Sequence, residues 1–143
     1  MIGLSVLGFV GAATAMVGLW QEHALLASGW LGQAVQVLAV ALMLWARWTF
    51  GRRSFHAAAN PTVGGLVTTG PYRYVRHPIY AAVLYFAWAG ALSHASPLPL
   101  VLAGGVTLGL ALRMRAEEQL VLQRHQEYRD YAARTPRVVP KLL

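Results

Sequence analysis

The chain contains no cysteine. A disulfide framework, a thiolate zinc site, an iron–sulfur cluster and a catalytic thiol are therefore all excluded. Charge is also scarce. Only 12% of the 143 residues are Asp, Glu, Lys or Arg, about half the usual share of a soluble domain. Acids are the scarcest of all: Glu22, Glu117, Glu118, Glu127 and Asp130 complete the set. A Ser–His–Asp triad would have to use Asp130, which lies in a charged helical stretch, and this speaks against that chemistry. The five His residues are scattered and lack metal-ligand spacing. The glycine-rich stretch Gly64 to Gly70 is not G-x-G-x-x-G and follows no strand, so no dinucleotide or P-loop fingerprint is present. Internal repeats and low-complexity tracts are absent.

What the sequence does have is apolar surface. Hydrophobic residues make up 57% of it, which excludes a disordered chain and leaves too few polar residues to coat a soluble globule. The net charge is +7, and eleven of the twelve basic residues are Arg. Their placement argues against nucleic acid as a partner. Glu22 is the one charged residue before Arg47, and the Arg residues then fall in two blocks, 47–76 and 113–137. Arg-rich loops between apolar segments mark the cytoplasmic side of a membrane protein.

Residues 2–20 carry no charge and approach the roughly 20 residues needed to cross the hydrocarbon layer. A signal peptide would need a basic region at its start. None is present, so a retained span is expected. Gly8, Gly11, Ala12 and Ala15 offer small residues for close helix contact in lipid. A second apolar stretch runs over about 30–50, with Trp45 and Trp48 at headgroup level, and Gln33 and Gln36 three apart so that they share a face directed at other helices. Turn signals at Asn60-Pro61, Gly64-Gly65 and Gly70-Pro71 make 51–77 an irregular cytoplasmic loop. Pro78 opens a third helix at its first position. Apolar runs at about 78–94 and 97–113 follow, with Gly105 and Gly109 as a small-residue contact pair. From 114 to 134 the pattern becomes charged and amphipathic. The expected fold is all-α: a single membrane domain of four transmembrane helices, the last continuing into a C-terminal amphipathic cytoplasmic helix. The expected setting is a bacterial inner membrane, with both termini in the cytoplasm.

Two clusters carry candidate chemistry. Arg76 and His77 stand just before the third helix, whose unsatisfied N–H groups and partial positive charge favour an anion. Tyr80 lies one turn in, on the same side. Arg73 and Arg76 equally suit a purely topological, lipid-phosphate role. The second cluster is Arg113-Met114-Arg115-Ala116-Glu117-Glu118. Here Arg113 to Glu117 and Arg115 to Glu118 have the spacing of local ion pairs, while ionisable residues at the membrane edge are also functional candidates.

The stretch Gly70-Pro71-Tyr72-Arg73-Tyr74-Val75-Arg76-His77-Pro78-Ile79-Tyr80, the apolar hairpin after it, Arg115-Ala116-Glu117-Glu118, Tyr128-x-x-Tyr131 and Arg137-Val-Val-Pro140 together resemble the isoprenylcysteine carboxyl methyltransferase family. Phospholipid N-methyltransferases are similar. The resemblance covers residues 60–140. It implies an integral-membrane methyltransferase that uses S-adenosylmethionine and takes a lipid or hydrophobic small-molecule acceptor from the bilayer. It places the cofactor contacts on Tyr72, His77, Pro78, Tyr80, Glu117, Glu118 and Tyr128, and no metal site. Arg76, at the membrane edge, is the expected catalytic residue, orienting the acceptor. One departure is Arg124-His125-Gln126-Glu127 before Tyr128, where many members have Phe-Gly and one further residue. Membrane sterol-type reductases that use NADPH have a similar Arg/His-Pro-x-Tyr pattern, but they typically add Asn before the Tyr, where this chain has Ile79, and a longer N-terminal bundle. A non-enzymatic docking subunit would need only diffuse positive charge.

Overall fold

A computed structural model describes residues 1–51 and 66–141, and among them every regular element is helical. In chain order these are α1 (Ile2–Gln21), α2 (Trp30–Phe50), a 3-10 turn (Gly70–Arg73), α3 (Pro78–His94), α4 (Pro97–Arg124) and α5 (Tyr128–Arg134). Three helices, α1, α2 and α4, are long and apolar enough to cross a membrane. With 17 residues, α3 is about 25 Å long at 1.5 Å per residue. The outward faces are apolar: Trp30, Leu38, Leu44 and Val101 are exposed, and Trp48 is 90% exposed. Such a surface suits lipid and would be a liability in water.

The long helices pack in the order α1, α4, α3, α2. The α1–α4 seam follows from residue size. Ser5, Gly8, Ala12, Ala15 and Leu19 recur every three or four positions and form the buried stripe of α1. Opposite them lie Gly105 and Gly109. A Cβ added at Gly8 would stand 2.5 Å from the Gly109 carbonyl oxygen and 3.0 Å from the Arg113 nitrogen, so the two backbones touch. In lipid, where apolar side chains gain nothing by leaving their solvent, such close van der Waals contact drives helix pairing. Gly11 does not join the seam as the sequence suggested. It is exposed and would meet nothing within 4 Å, because it lies on the lipid side of the stripe.

Gln36 fastens α2 to α3. It is buried, its Nε2 donates to the carbonyls of Leu25 (2.8 Å) and Phe86 (3.1 Å), and its Oε1 accepts from the Ala27 N–H (3.0 Å). The α1–α2 turn is thereby tied to both helices. Gln33, expected on the same inward face, is exposed and donates to the Ala27 carbonyl instead. Trp88 Nε1 donates to Thr107 Oγ1 across α3 and α4 (3.0 Å). Ala95, in the left-handed region at φ 49°, turns the chain into α4, where Pro97 takes the first helical position.

In the C-terminal half the fourth apolar helix continues into the charged stretch, as expected, and runs without interruption for 28 residues through the acidic pair to Arg124. The extent of that continuation is corrected. The single amphipathic helix expected over 114–134 is broken, because His125 takes an extended conformation (φ −132°, ψ 95°) and the chain restarts as the seven-residue α5. The break turns Tyr128 and Tyr131 inward, and both are buried. In the loop expected over 51–77, residues 52–65, including Arg52, Arg53 and the Asn60-Pro61 and Gly64-Gly65 turns, lie outside the described residues. The remainder contains the 3-10 turn rather than being wholly irregular.

The α1–α4 contact is directly testable. Gly8→Ala should lower the stability of the purified protein by about 1–3 kcal/mol, because a methyl group has no room at the seam. Gly11→Ala should leave it unchanged or slightly higher, since alanine favours helix and the position is open. Thermal unfolding in detergent reads both. Equal behaviour of the two variants would contradict the packing.

Candidate active site

The site forms where four segments meet at one end of the helices. Gly70 (φ 57°) makes the turn before α3 and lies against Thr49 of α2, where a Cβ would approach Thr49 Oγ1 to 2.6 Å. Tyr72 then packs in a tilted arrangement against Phe50, ring centroids 5.5 Å apart. Its carbonyl accepts a 2.5 Å hydrogen bond from the Tyr131 hydroxyl. The chain after α5 returns across the start of α3. Arg76 N–H donates to the Pro136 carbonyl (2.7 Å) and His77 N–H to the Arg137 carbonyl (2.9 Å). About two helical turns further along α3, the Tyr85 hydroxyl donates to the Val138 carbonyl. The tail is therefore stitched to the entry of α3, where Pro78 is fully buried at the first helical position.

Glu118 stands at the centre. Its carboxylate is contacted by Arg76 Nη1 (3.0 Å), His77 Nε2 (3.0 Å) and both Nε (3.2 Å) and Nη2 (2.9 Å) of Arg137. The expected local partner Arg115 points outward and is exposed. Glu118 instead draws its cations from the loop before α3 and from the tail, and this two-pronged Arg137 contact is the stronger geometry for a carboxylate. The Glu118 carboxylate holds the Arg137 guanidinium above its ordinary value.

Glu117 is bound differently. Its Oε1 accepts from the Tyr80 hydroxyl (2.5 Å) and lies 3.1 Å from Arg113 Nε, which itself donates to the Tyr80 oxygen (2.6 Å). The local Arg113–Glu117 pairing expected from spacing is thus formed. Glu117 Oε2 faces His77 Nδ1 at 3.9 Å, beyond hydrogen-bond reach. The Glu117 side chain is 22% exposed and that of Glu118 9%. One carboxylate is saturated by protein; the other keeps, among the described residues, an oxygen without a hydrogen-bond donor.

All eight residues singled out from sequence come together here. His77 hydrogen-bonds Glu118, faces Glu117 and stacks on Tyr80, with centroids 5.6 Å apart. The Arg76 charge acts on the Tyr128 hydroxyl, while Arg76 Nε is buried without a hydrogen-bond partner among the described residues. Tyr128 is buried beside Glu118 and Arg137. Two charged residues were not singled out. Arg113 carried only an ion-pair reading, because its inward direction depends on how α1 packs. Arg137 appeared in the tail motif without a role, because nothing local links it to an acid 19 positions earlier. Among the described residues no group of three or more His, Asp or Glu side chains is placed to hold a metal ion.

Comparison with known proteins agrees in region. The family model described as phospholipid methyltransferase matches residues 27–128. The chain is 34% identical over 124 residues to the nickel-cobalt-cadmium resistance protein NccN of Alcaligenes xylosoxydans xylosoxydans, covering 86% of this chain and 53% of that protein. It is 34% identical over 127 residues to the cobalt-zinc-cadmium resistance protein CzcN of Cupriavidus metallidurans, covering 87% and 53%. The chain thus spans about half the length of the curated relatives it matches. No solved structure matches.

The tyrosines beneath the tail give the site a pH signature. Burial, and then the neighbouring Glu118 charge, push Tyr128 up to about 12 from its ordinary 10.0. Burial raises Tyr72 and Tyr131 as well. A phenol with a raised folded value stabilises the fold fully below its unfolded value, and that contribution is lost as pH climbs through the folded one. The melting temperature should therefore fall as pH rises from about 10 to about 12, and less steeply in Tyr128→Phe. A variant that falls as steeply as the wild type would show that Tyr128 is not buried here.

Proposed function

The chain belongs to the phospholipid methyltransferase family, and we propose that it transfers a methyl group from S-adenosylmethionine to a lipid-like or small hydrophobic acceptor at the membrane edge. The observation that carries this reading is the unequal pair of carboxylates, one saturated and one with an open oxygen, set among Arg76, His77 and Arg113. Arg76, Arg113 and Arg137 against Glu117 and Glu118 leave one positive charge in excess, apart from His77.

The donor set suits this cofactor. Its ammonium needs an acceptor that the protein has not already satisfied, and Glu117 Oε2 is one. Its carboxylate needs donors, and His77 with the first N–H groups of α3 would supply them. Tyr72, Tyr80 and Tyr128, with Pro78, would wall the adenosyl part. When bound, S-adenosylmethionine supplies an electrophilic methyl group on a positively charged sulfur. The protein's own work is positioning and the exclusion of water, which suffice for an in-line displacement onto an acceptor already ionised or lone-paired. Glu118 holds Arg76, His77 and Arg137 in place. Arg76 orients the acceptor, and its buried Nε, without a partner among the described residues, gives it unused donor capacity.

The same reading sets the chain in the membrane as one domain of four spans with both termini in the cytoplasm. Arg47, Arg73, Arg76 and the residues from Arg113 onward gather at one end of the helices. Glu22, His23 and His94 occupy the other, as the positive-inside bias requires. The 17-residue α3 then draws on flanking residues or local thinning to span. Cysteines introduced at Ser28 and Ala95 should react with an impermeant reagent from outside intact cells, and one at Gln126 should not. The reverse labelling would refute the orientation.

Incubation of the purified protein with radiolabelled S-adenosylmethionine and a panel of phospholipids, fatty acids, prenylated peptides and thiols tests the activity. Label in none of them, with no stabilisation by S-adenosylhomocysteine, would refute it. Two variants separate the roles. Glu117→Gln should weaken S-adenosylhomocysteine binding about ten- to a hundredfold in calorimetric titration, as expected for a lost charge-assisted contact. Arg76→Lys should lower turnover roughly tenfold or more while affinity stays within about threefold, because charge is kept and two-pronged geometry is lost. Near-normal turnover in Arg76→Lys would leave Arg76 only a topological role.

A further inference from the structure

All of α1 lies outside the region that the family model matches, which begins at residue 27, yet α1 reaches the site. The close contact at Gly8 sets α1 against α4 beside Arg113 and carries the next residue, Phe9, over it. The Arg113 Cζ lies 5.1 Å from the centroid of the Phe9 ring and 5.8 Å from that of Tyr80. Arg113 is 4% exposed, whereas Phe9 is 44% exposed. The Phe9 ring therefore fills little core. What it contributes is a negatively polarised face against a buried guanidinium, the arrangement of a cation–π contact.

That guanidinium is the root of the Glu117 arm. Its Nε donates to the Tyr80 hydroxyl oxygen and lies 3.1 Å from Glu117, and Tyr80 donates to the same Glu117 oxygen. A closed triangle of this kind leaves Glu117 Oε2 as the oxygen turned toward His77. If Arg113 swings away, Tyr80 loses its donor and the Glu117 carboxylate is free to rotate. An Arg at this depth has a strong reason to swing, since its alternative is to reach for headgroups or water. The covering ring opposes that.

We infer that Phe9 is a positioning residue of the active site, acting through Arg113 to fix Tyr80 and Glu117. The inference rests on the reading of Glu117 as a cofactor contact. It extends the site to a helix that the family match leaves out, and it demands an aromatic face rather than mere bulk at position 9.

The test compares Phe9→Leu with Phe9→Trp by calorimetric titration with S-adenosylhomocysteine. The position is half exposed, so both variants should fold, with Phe9→Leu melting slightly below the wild type through the lost ring contact and Phe9→Trp close to it. Phe9→Leu should bind about three- to thirtyfold more weakly, the range of a lost cation–π contact, and Phe9→Trp should restore wild-type affinity. Leucine binding as well as wild type, or tryptophan binding as poorly as leucine, would overturn the inference. A double-mutant cycle of Phe9→Leu with Arg113→Gln, read by melting temperature, needs no ligand and should show coupling. Additive effects would overturn the inference even if the wild type bound no S-adenosylhomocysteine, a result that would count against the cofactor reading alone. The Phe9 series decides by itself if Arg113→Gln does not fold.

Discussion

A carboxylate removed from water keeps its charge only where cations and donors replace the lost solvent, and removing any one of them leaves the rest poorly compensated. Glu118 is in that position. It sits on the extension of α4, and its partners come from the loop before α3 and from the tail. Folding must bring three distant stretches together before this charge is satisfied. Once it is satisfied, the backbone of Arg76 and His77 is held to Pro136 and Arg137, and the same ion cluster holds the Arg76 and His77 side chains at one end of the helices. Glu117, one position earlier, can then keep an open oxygen because its neighbour does the structural work.

The membrane-facing part of the fold serves this arrangement at a distance. Small residues at Gly8, Ala12, Gly105 and Gly109 let two backbones touch, and that fixes the depth at which Arg113 enters between α1 and α3. Gln36 ties the far turn to α3, and Trp88 ties α3 to α4. Each is a polar or steric constraint where apolar side chains alone, solvated equally well by lipid, would leave helix rotation loosely specified.

The sequence made the long elements legible because uncharged runs, Pro78 and Pro97 punctuate them plainly. The Arg-His-Pro-x-Tyr stretch and the acidic pair were legible as chemistry because charge at the edge of an apolar segment is rare in this chain. What could not be read was direction. Arg115 and Arg113 are two apart on one helix, and only packing against α1 decides that Arg113 turns in while Arg115 faces out. The spacing of Gln33 and Gln36 suggested one shared face, but only Gln36 is buried and reaches the Phe86 carbonyl of α3, while Gln33 stops at the Ala27 carbonyl of the turn. The break at His125 was hidden because charged and apolar residues keep a helical period through it. Its cause is tertiary: Tyr128 and Tyr131 must fold back to meet Arg76 and the Tyr72 carbonyl.

The dependence of the tail and the α3 entry on the Glu118 carboxylate is the centre of this account, and hydrogen exchange at single amides measures it most directly. In Glu118→Gln, the amides of Arg76 and His77, which donate to Pro136 and Arg137, should exchange about tenfold faster or more, as expected when a buried charge-assisted contact is lost. The amides of the α1–α4 seam should be unchanged. Unaltered protection at Arg76 and His77, or an equal loss along α1 and α4, would contradict the claim that this carboxylate holds the site together.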